Sequence, residues 1–141
     1  MRFMVLVKAN RDTEAGVLPT AQELADMGRY NEELAEAGML LAAEGLQPTA
    51  KGARIRFDGD RRTVTDGPFA ETGELLAGFW ILRAESKEEV VAWVSRAPFK
   101  EGEVEIRQVF ELEDFPADVL PPEEAERERA LRHDLAAGTE G

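Results

Sequence analysis

Asp66 opens the run Asp66-Gly67-Pro68-Phe69, after the β-branched stretch Thr63-Val64-Thr65 and before a proline that donates no backbone hydrogen bond, so its carboxylate is held at a tight corner. There it can serve as a general acid or base where partial burial favours the protonated form. It can equally accept backbone N–H bonds from its own turn, the ordinary role of Asp before Gly. Arg56 and Arg107 each alternate with large apolar residues, so both should point away from the face that Ile55, Phe57, Ile106 and Phe110 give to the core. Beside Glu44 and Glu105 on that opposite face, the guanidiniums can grip a carboxylate or phosphate in bidentate fashion, or pair with those acids across strands. Glu71 can orient Asp66 or a ligand, or cap the turn before Leu75. Tyr30 places a phenol at a helical position that faces either a cavity mouth or the core.

Other chemistries are excluded by what is missing. The chain has no cysteine and one histidine, His133, which stands beside Asp134 in a polar stretch; thiolate chemistry, disulfides and multi-histidine metal sites are out of reach. Ser86 and Ser95 have no nearby His, so a serine triad cannot be assembled. Gly59 and Gly67 open no helix in a phosphate-cradling pattern. No metal and no cofactor are expected. With 29 acidic against 17 basic side chains the net charge is -12, which opposes direct contact with nucleic acid or an anionic membrane. The apolar start, Phe3 to Val7, is too short for a signal segment or a membrane span, so a cytoplasmic location is expected.

The elements that must position these residues follow from hydrophobic period. Phe3 to Val7 reads as a strand buried on both faces, and residues 9–19 as a loop. Thr20 and Glu23 form a capping box ahead of Leu24, Met27, Tyr30, Leu34 and Ala37, and Gly38 ends that helix. Met39 to Leu46 should return through the sheet. Ala53, Ile55 and Phe57 alternate with Arg54 and Arg56, Asp58-Gly59-Asp60 turns the chain, and Arg62 to Thr65 pairs back as a hairpin. Leu75 to Leu82 should be a central strand. Ser86 and Glu89 cap a second helix carrying Val90, Trp93, Val94 and Ala97, stopped by Pro98, while Trp80 and Trp93 serve packing. Val104 to Leu112 is the last strand. From Pro116 onward seven acids and three Arg hold a third of the net charge. The expected division is therefore a folded domain over residues 1–115 and an acidic tail over 116–141, flexible or a loose helix.

This order gives an α+β, ferredoxin-like split βαβ plan with an extra hairpin, two helices covering one face of an antiparallel sheet. Nothing in the sequence covers the other face, so a homodimer is expected.

Four segments, Gly45-Leu46-Gln47-Pro48, Asp66-Gly67-Pro68-Phe69-Ala70-Glu71-Thr72, Gly78-Phe79-Trp80 and Val104-Glu105-Ile106-Arg107, together resemble the YCII-related or DGPF-domain family from Arg2 to about Val109. The resemblance implies a dimeric α+β barrel and an enzymatic activity undefined for most members, with a link of some relatives to transcription initiation through neighbouring sigma-factor genes. The sequence departs from the pattern at Gly73, where relatives commonly carry Lys, and at Gln108, where they commonly carry Pro. The narrower YCII branch pairs a first-helix His with the loop Asp; the helix from Thr20 to Gly38 holds no His, so that dyad is absent. The leading expectation is a homodimer binding a small polar or anionic molecule in a cleft, with acid–base catalysis by Asp66 and ligand contacts from Arg56, Arg107, Glu44, Glu71 and Tyr30. The alternative is a non-catalytic accessory or regulatory protein in a stress or sigma-factor-linked pathway.

Overall fold

A computed structural model describes residues 1–70 and 73–139, the side chain of Thr139 excepted. The chain divides into two compact units, Met1–Val109 and Phe110–Gly141. In the first, β1 (Arg2–Lys8) is followed by a short helix α1 (Arg11–Glu14), the long helix α2 (Ala21–Glu36), β2 (Leu40–Gly45), a 3₁₀ turn (Thr49–Lys51), β3 (Ala53–Asp58), β4 (Arg61–Asp66), β5 (Leu76–Arg83), α3 (Lys87–Val94) and β6 (Val104–Gln108).

Four strands form one sheet in the order β2-β5-β1-β6, every neighbouring pair antiparallel. Strands β1 and β2 therefore run parallel with β5 between them, and β5 and β6 run parallel with β1 between them. These are the two interleaved βαβ units of the ferredoxin-like plan. The sheet is open and does not close into a barrel within one chain. Strands β3 and β4 pair only with each other, as a separate two-stranded sheet.

Register sets the core. Val5 stands opposite Trp80 and Ile106, and Phe3 opposite Leu82, so these side chains share the face under α2 and α3. Phe3, Val5, Trp80 and Leu82 are buried there with Leu34 of α2 and Val90 and Val94 of α3. Met4, Leu6, Phe79 and Ile81 lie on the other face and are only half-buried. The first strand thus alternates rather than being buried on both sides, because the single chain has no second layer to cover it.

Local chemistry explains the helix limits. Thr20 accepts from the Glu23 N–H and the Glu23 carboxylate accepts from the Thr20 N–H, both at 3.1 Å. Gly38, at φ +74, takes the left-handed turn that stops α2. At α3 the box is displaced by one residue: Ser86 accepts from the Glu89 N–H at 3.1 Å, but the Glu89 carboxylate accepts from the Glu85 N–H at 2.9 Å. Helix α1 interrupts what reads as a loop in the sequence; Asn10 and Thr13 cap it reciprocally at 2.8 and 2.9 Å. Beyond β6, which ends at Gln108, Phe110 is exposed and does not extend the strand.

In the second unit, the Phe110 and Phe115 rings stack with centroids 5.0 Å apart, and Pro122–Thr139 forms helix α4. Its surface is laced by Arg127–Glu124, Arg129–Glu126 and Arg132–Glu128 pairs at 2.6, 3.3 and 3.3 Å. Among the described residues no helix is long and apolar enough to cross a membrane.

Candidate functional site

The chain leaves β2 at Gly45, tightens at Thr49–Lys51 and enters β3, while the loop after β4 doubles back beside it. A shared hydroxyl locks these passages together. Thr49 Oγ1 donates to Glu14 Oε2 at 2.6 Å and accepts from the Phe69 N–H at 3.0 Å, and the Thr49 N–H donates to Glu14 Oε1 at 3.2 Å. The Gly67 N–H donates to the Gly52 carbonyl at 3.0 Å. Backbone contact at this junction is so close that a Cβ on Gly67 would lie 1.7 Å from the Thr49 carbonyl oxygen. Only glycine fits there.

A shallow cleft of about 460 Å³, open to solvent over most of its extent, lies at this junction. Leu46, Leu75 and Leu76 supply its apolar surface, and Gln47, Thr49, Lys51, Arg54 and Glu74 its polar groups. The Arg54 guanidinium stands 3.9 Å from the centroid of Phe69, which also lines the cleft. That stacking fixes a cation beside an apolar wall. The arrangement suits a small molecule with an apolar body and a charged or polar end.

The residues singled out in the sequence fall in several places. Asp66 ends β4 opposite Ala53, is exposed, and sits one residue before the Gly67 junction. Among the described residues its carboxylate makes neither an ion pair nor the expected turn hydrogen bonds. Arg56 is exposed on the hairpin. Because Asp66 pairs with Ala53, it shares a face with Ile55 and Phe57, whereas Arg56 points to the other face; the single chain does not converge the two groups. Nor do Ile55 and Phe57 face α2 and α3, as their alternation suggested. The hairpin stands apart from the main sheet, and both side chains are exposed.

Arg107 and Glu44 do lie on the open face of the main sheet, opposite Met4 and Phe79 respectively. Arg107 is engaged with Glu105 at 3.2 Å, and Glu105 also meets Lys8 at 3.4 Å. The hydrogen bond from Arg107, followed by that from Lys8, holds the Glu105 carboxyl below the usual carboxylate range. Tyr30 is a core residue: its ring packs edge-on against Trp80 at 5.8 Å and its hydroxyl donates to the Trp93 carbonyl at 2.8 Å. Burial pushes its phenol up to about 12. A cavity-mouth role for Tyr30 does not fit that placement. Glu71 lies outside the described residues. Among the described residues no cluster of three or more His, Asp or Glu is placed to hold a metal ion.

Residue-by-residue reading missed Glu14, Thr49 and Lys51 as site residues. A signal was nonetheless present: two of the four segments carrying the family resemblance, Gly45-Leu46-Gln47-Pro48 and Asp66-Gly67-Pro68-Phe69, are the segments that meet at this cleft.

Fold and site define an open-faced, ferredoxin-like α+β protein with a shallow cleft beside a detached hairpin. The YCII-related domain matches residues 1–113, and the chain belongs to that family. It is 33% identical over 87 residues to the uncharacterized protein R00369 of Rhizobium meliloti (strain 1021), a match covering 60% of this chain and 70% of that protein. Among solved structures it is similar to the 5-chloro-2-hydroxyhydroquinone dehydrochlorinase TftG from Burkholderia phenoliruptrix AC1100 in complex with 2,5-dihydroxybenzoquinone. That likeness has 17% identity and a TM-score of 0.45, and covers 78% of this chain and 94% of the other.

Proposed function

We propose that this chain is a cytoplasmic homodimer that binds a small anionic or polar molecule in the cleft between the Gln47–Arg54 segment and Phe69, Leu75 and Leu76, with Asp66 as the acid–base group. The observation that carries this reading is the cleft itself, with Lys51 and the stacked Arg54 beside an apolar wall braced by the Glu14–Thr49–Phe69 chain. Dimerisation is supported by the half-buried Met4, Leu6, Phe79 and Ile81, apolar groups on a sheet face that one chain leaves open. Two such faces brought together would place Arg107 and Glu44 of both copies along a shared interior. Arg56 would serve the ligand from the hairpin.

The test is calorimetric titration of the protein with a panel of small aromatic and aliphatic carboxylates and phosphates against their uncharged amides and alcohols. At least one anion should bind, Lys51→Glu should weaken it by about tenfold or more, and Asp66→Asn should retain binding while abolishing any turnover. No binding by any member at millimolar concentration, or equal binding by Lys51→Glu, would overturn the reading.

A non-catalytic accessory role is favoured by one observation, the separate compactness of Phe110–Gly141 with its charged helix α4. Deleting residues 116–141 would then abolish a protein interaction and leave anion binding unchanged.

A further inference from the structure

One face of the β3–β4 hairpin is charged. The ladder sets Arg54 opposite Thr65, Arg56 opposite Thr63 and Asp58 opposite Arg61, so these six side chains share one side of the ribbon. All of them are exposed. Arg62 belongs to the other side, where it stacks on Phe57 at 4.6 Å and donates to the Gly59 and Arg61 carbonyls at 2.7 and 2.9 Å.

Neighbouring like charges on a sheet face repel, and such a face ordinarily answers a cation with an acid across the ladder. Here Arg54 and Arg56 face threonines instead, in a protein with 29 acids to 17 bases. Among the described residues neither Arg56 nor Arg61 makes an ion pair, and the Thr63 and Thr65 hydroxyls make no hydrogen bond. The first member of the row, Arg54, is also a wall of the cleft, held over Phe69 at 3.9 Å, and Lys51 lines the same cleft. At the strand rise of about 3.3 Å per residue, Arg56 follows about 7 Å further along and Arg61 about 13 Å. A row of cations thus runs out of the cleft along the ribbon.

We infer that the hairpin face of Arg54, Arg56 and Arg61 holds the tail of an oligoanionic ligand, two or more linked phosphates or carboxylates, whose body lies in the cleft. The inference rests on the cleft of the proposed function and deepens it, setting a series of anionic groups where that reading needs one. Guanidiniums grip such groups in bidentate fashion, and the threonine hydroxyls can donate to the oxygens between them. The ligand is short: the row is three arginines long, and a net charge of -12 repels an extended polyanion. Binding would remove the repulsion along the ribbon and so tighten a two-stranded element that is marginal alone.

Calorimetric titration of the full chain, free of divalent cations, with inorganic phosphate, tripolyphosphate and citrate tests this. The better of the two oligoanions should bind about tenfold or more tighter than phosphate, and which of them it is separates a phosphate tail from a carboxylate tail. Arg56→Gln and Arg61→Gln combined should weaken that oligoanion by about tenfold or more, whereas Arg62→Gln, which removes a charge from the other hairpin face, should change it by less than about twofold. An oligoanion bound no more tightly than phosphate, undiminished binding in the double variant, or an equal loss in Arg62→Gln overturns the row. The organic anions of the proposed function, with Lys51→Glu, decide the cleft separately.

A second measurement uses the unaltered chain. On saturation with the better oligoanion, amide exchange in β3 and β4 should slow by about tenfold while β1 and β5 keep their rates. No slowing in the hairpin, or slowing confined to other elements, overturns the inference.

Discussion

Replacing Gly67 by Ala should cost about 3–5 kcal/mol, because the added methyl has nowhere to go. Its Cβ would stand 1.7 Å from the Thr49 carbonyl oxygen, 2.5 Å from the carbonyl carbon and 3.2 Å from the Ala50 nitrogen, all of them backbone atoms. Ordinary contact is about 3.5–4.0 Å, so the 3₁₀ turn must retreat by roughly 2 Å. That retreat breaks the Gly67 N–H bond to Gly52 and the Phe69 N–H bond to Thr49 Oγ1, both 3.0 Å. Each is worth about 1 kcal/mol net, and the forced backbone shift adds about 1–3 kcal/mol. Against a total stability of about 5–15 kcal/mol, the loss is large. Urea unfolding followed by the fluorescence of Trp80 and Trp93 measures it, and faster hydrogen exchange at the Phe69 amide localises it. Gly73, whose Cβ would meet nothing within 4 Å among the described residues, is the control; Gly73→Ala should stay within about 0.5 kcal/mol. A Gly67→Ala cost below about 1 kcal/mol, or an equal cost at Gly73, would refute the close-approach argument.

Tyr30 is the single tyrosine, so its phenolate absorbance reports one group. With the folded phenol raised to about 12 from 10.0, its contribution to stability is complete below pH 10. Stability should then fall by about 1.4 kcal/mol per pH unit until the folded phenol ionises, as urea unfolding across that range would show. Tyr30→Phe should remove this alkaline slope and cost about 1 kcal/mol, since the Trp93 carbonyl keeps its bond from the Arg96 N–H at 3.1 Å. Thr49→Val keeps the β-branched shape but loses both hydroxyl bonds; about 1–3 kcal/mol and faster exchange at Phe69 are expected, whereas Thr49→Ser should restore most of it. Leu34→Ala, at a position 0% exposed between α2 and the sheet, should cost about 2–5 kcal/mol by thermal or urea unfolding.

Much of the fold is legible in the sequence because its signals are local. The capping box at Thr20 and Glu23, the stop at Gly38 and the Asp58-Gly59-Asp60 turn each act within four residues, and each forms as read. The hairpin's strands were legible too, but not their surroundings. Alternation of Ile55 and Phe57 with Arg54 and Arg56 says that one face is apolar, not which surface covers it. Helix α1 escaped because its cap uses Thr13 where a Glu or Gln is the usual partner. The cleft escaped for a different reason. Glu14 and Thr49 are 35 residues apart and meet only through the tertiary fold, and nothing in the local context of either residue announces the contact. Tyr30 shows the converse: its helical spacing allowed two faces, and the Trp93 carbonyl decided between them.

The strand order also dictates when the protein can assemble. Strands β1 and β5 are neighbours at the centre of the sheet, yet Arg2 stands opposite Arg83. During synthesis the first strand must wait, unpaired and apolar, for some eighty residues to follow it, at a translation rate of about 5–20 residues per second. The contacts of the β3–β4 hairpin are local, and such a pairing can close within about 1–10 μs, long before the four-stranded sheet is complete. The central pairing comes late because of the long loop it must close.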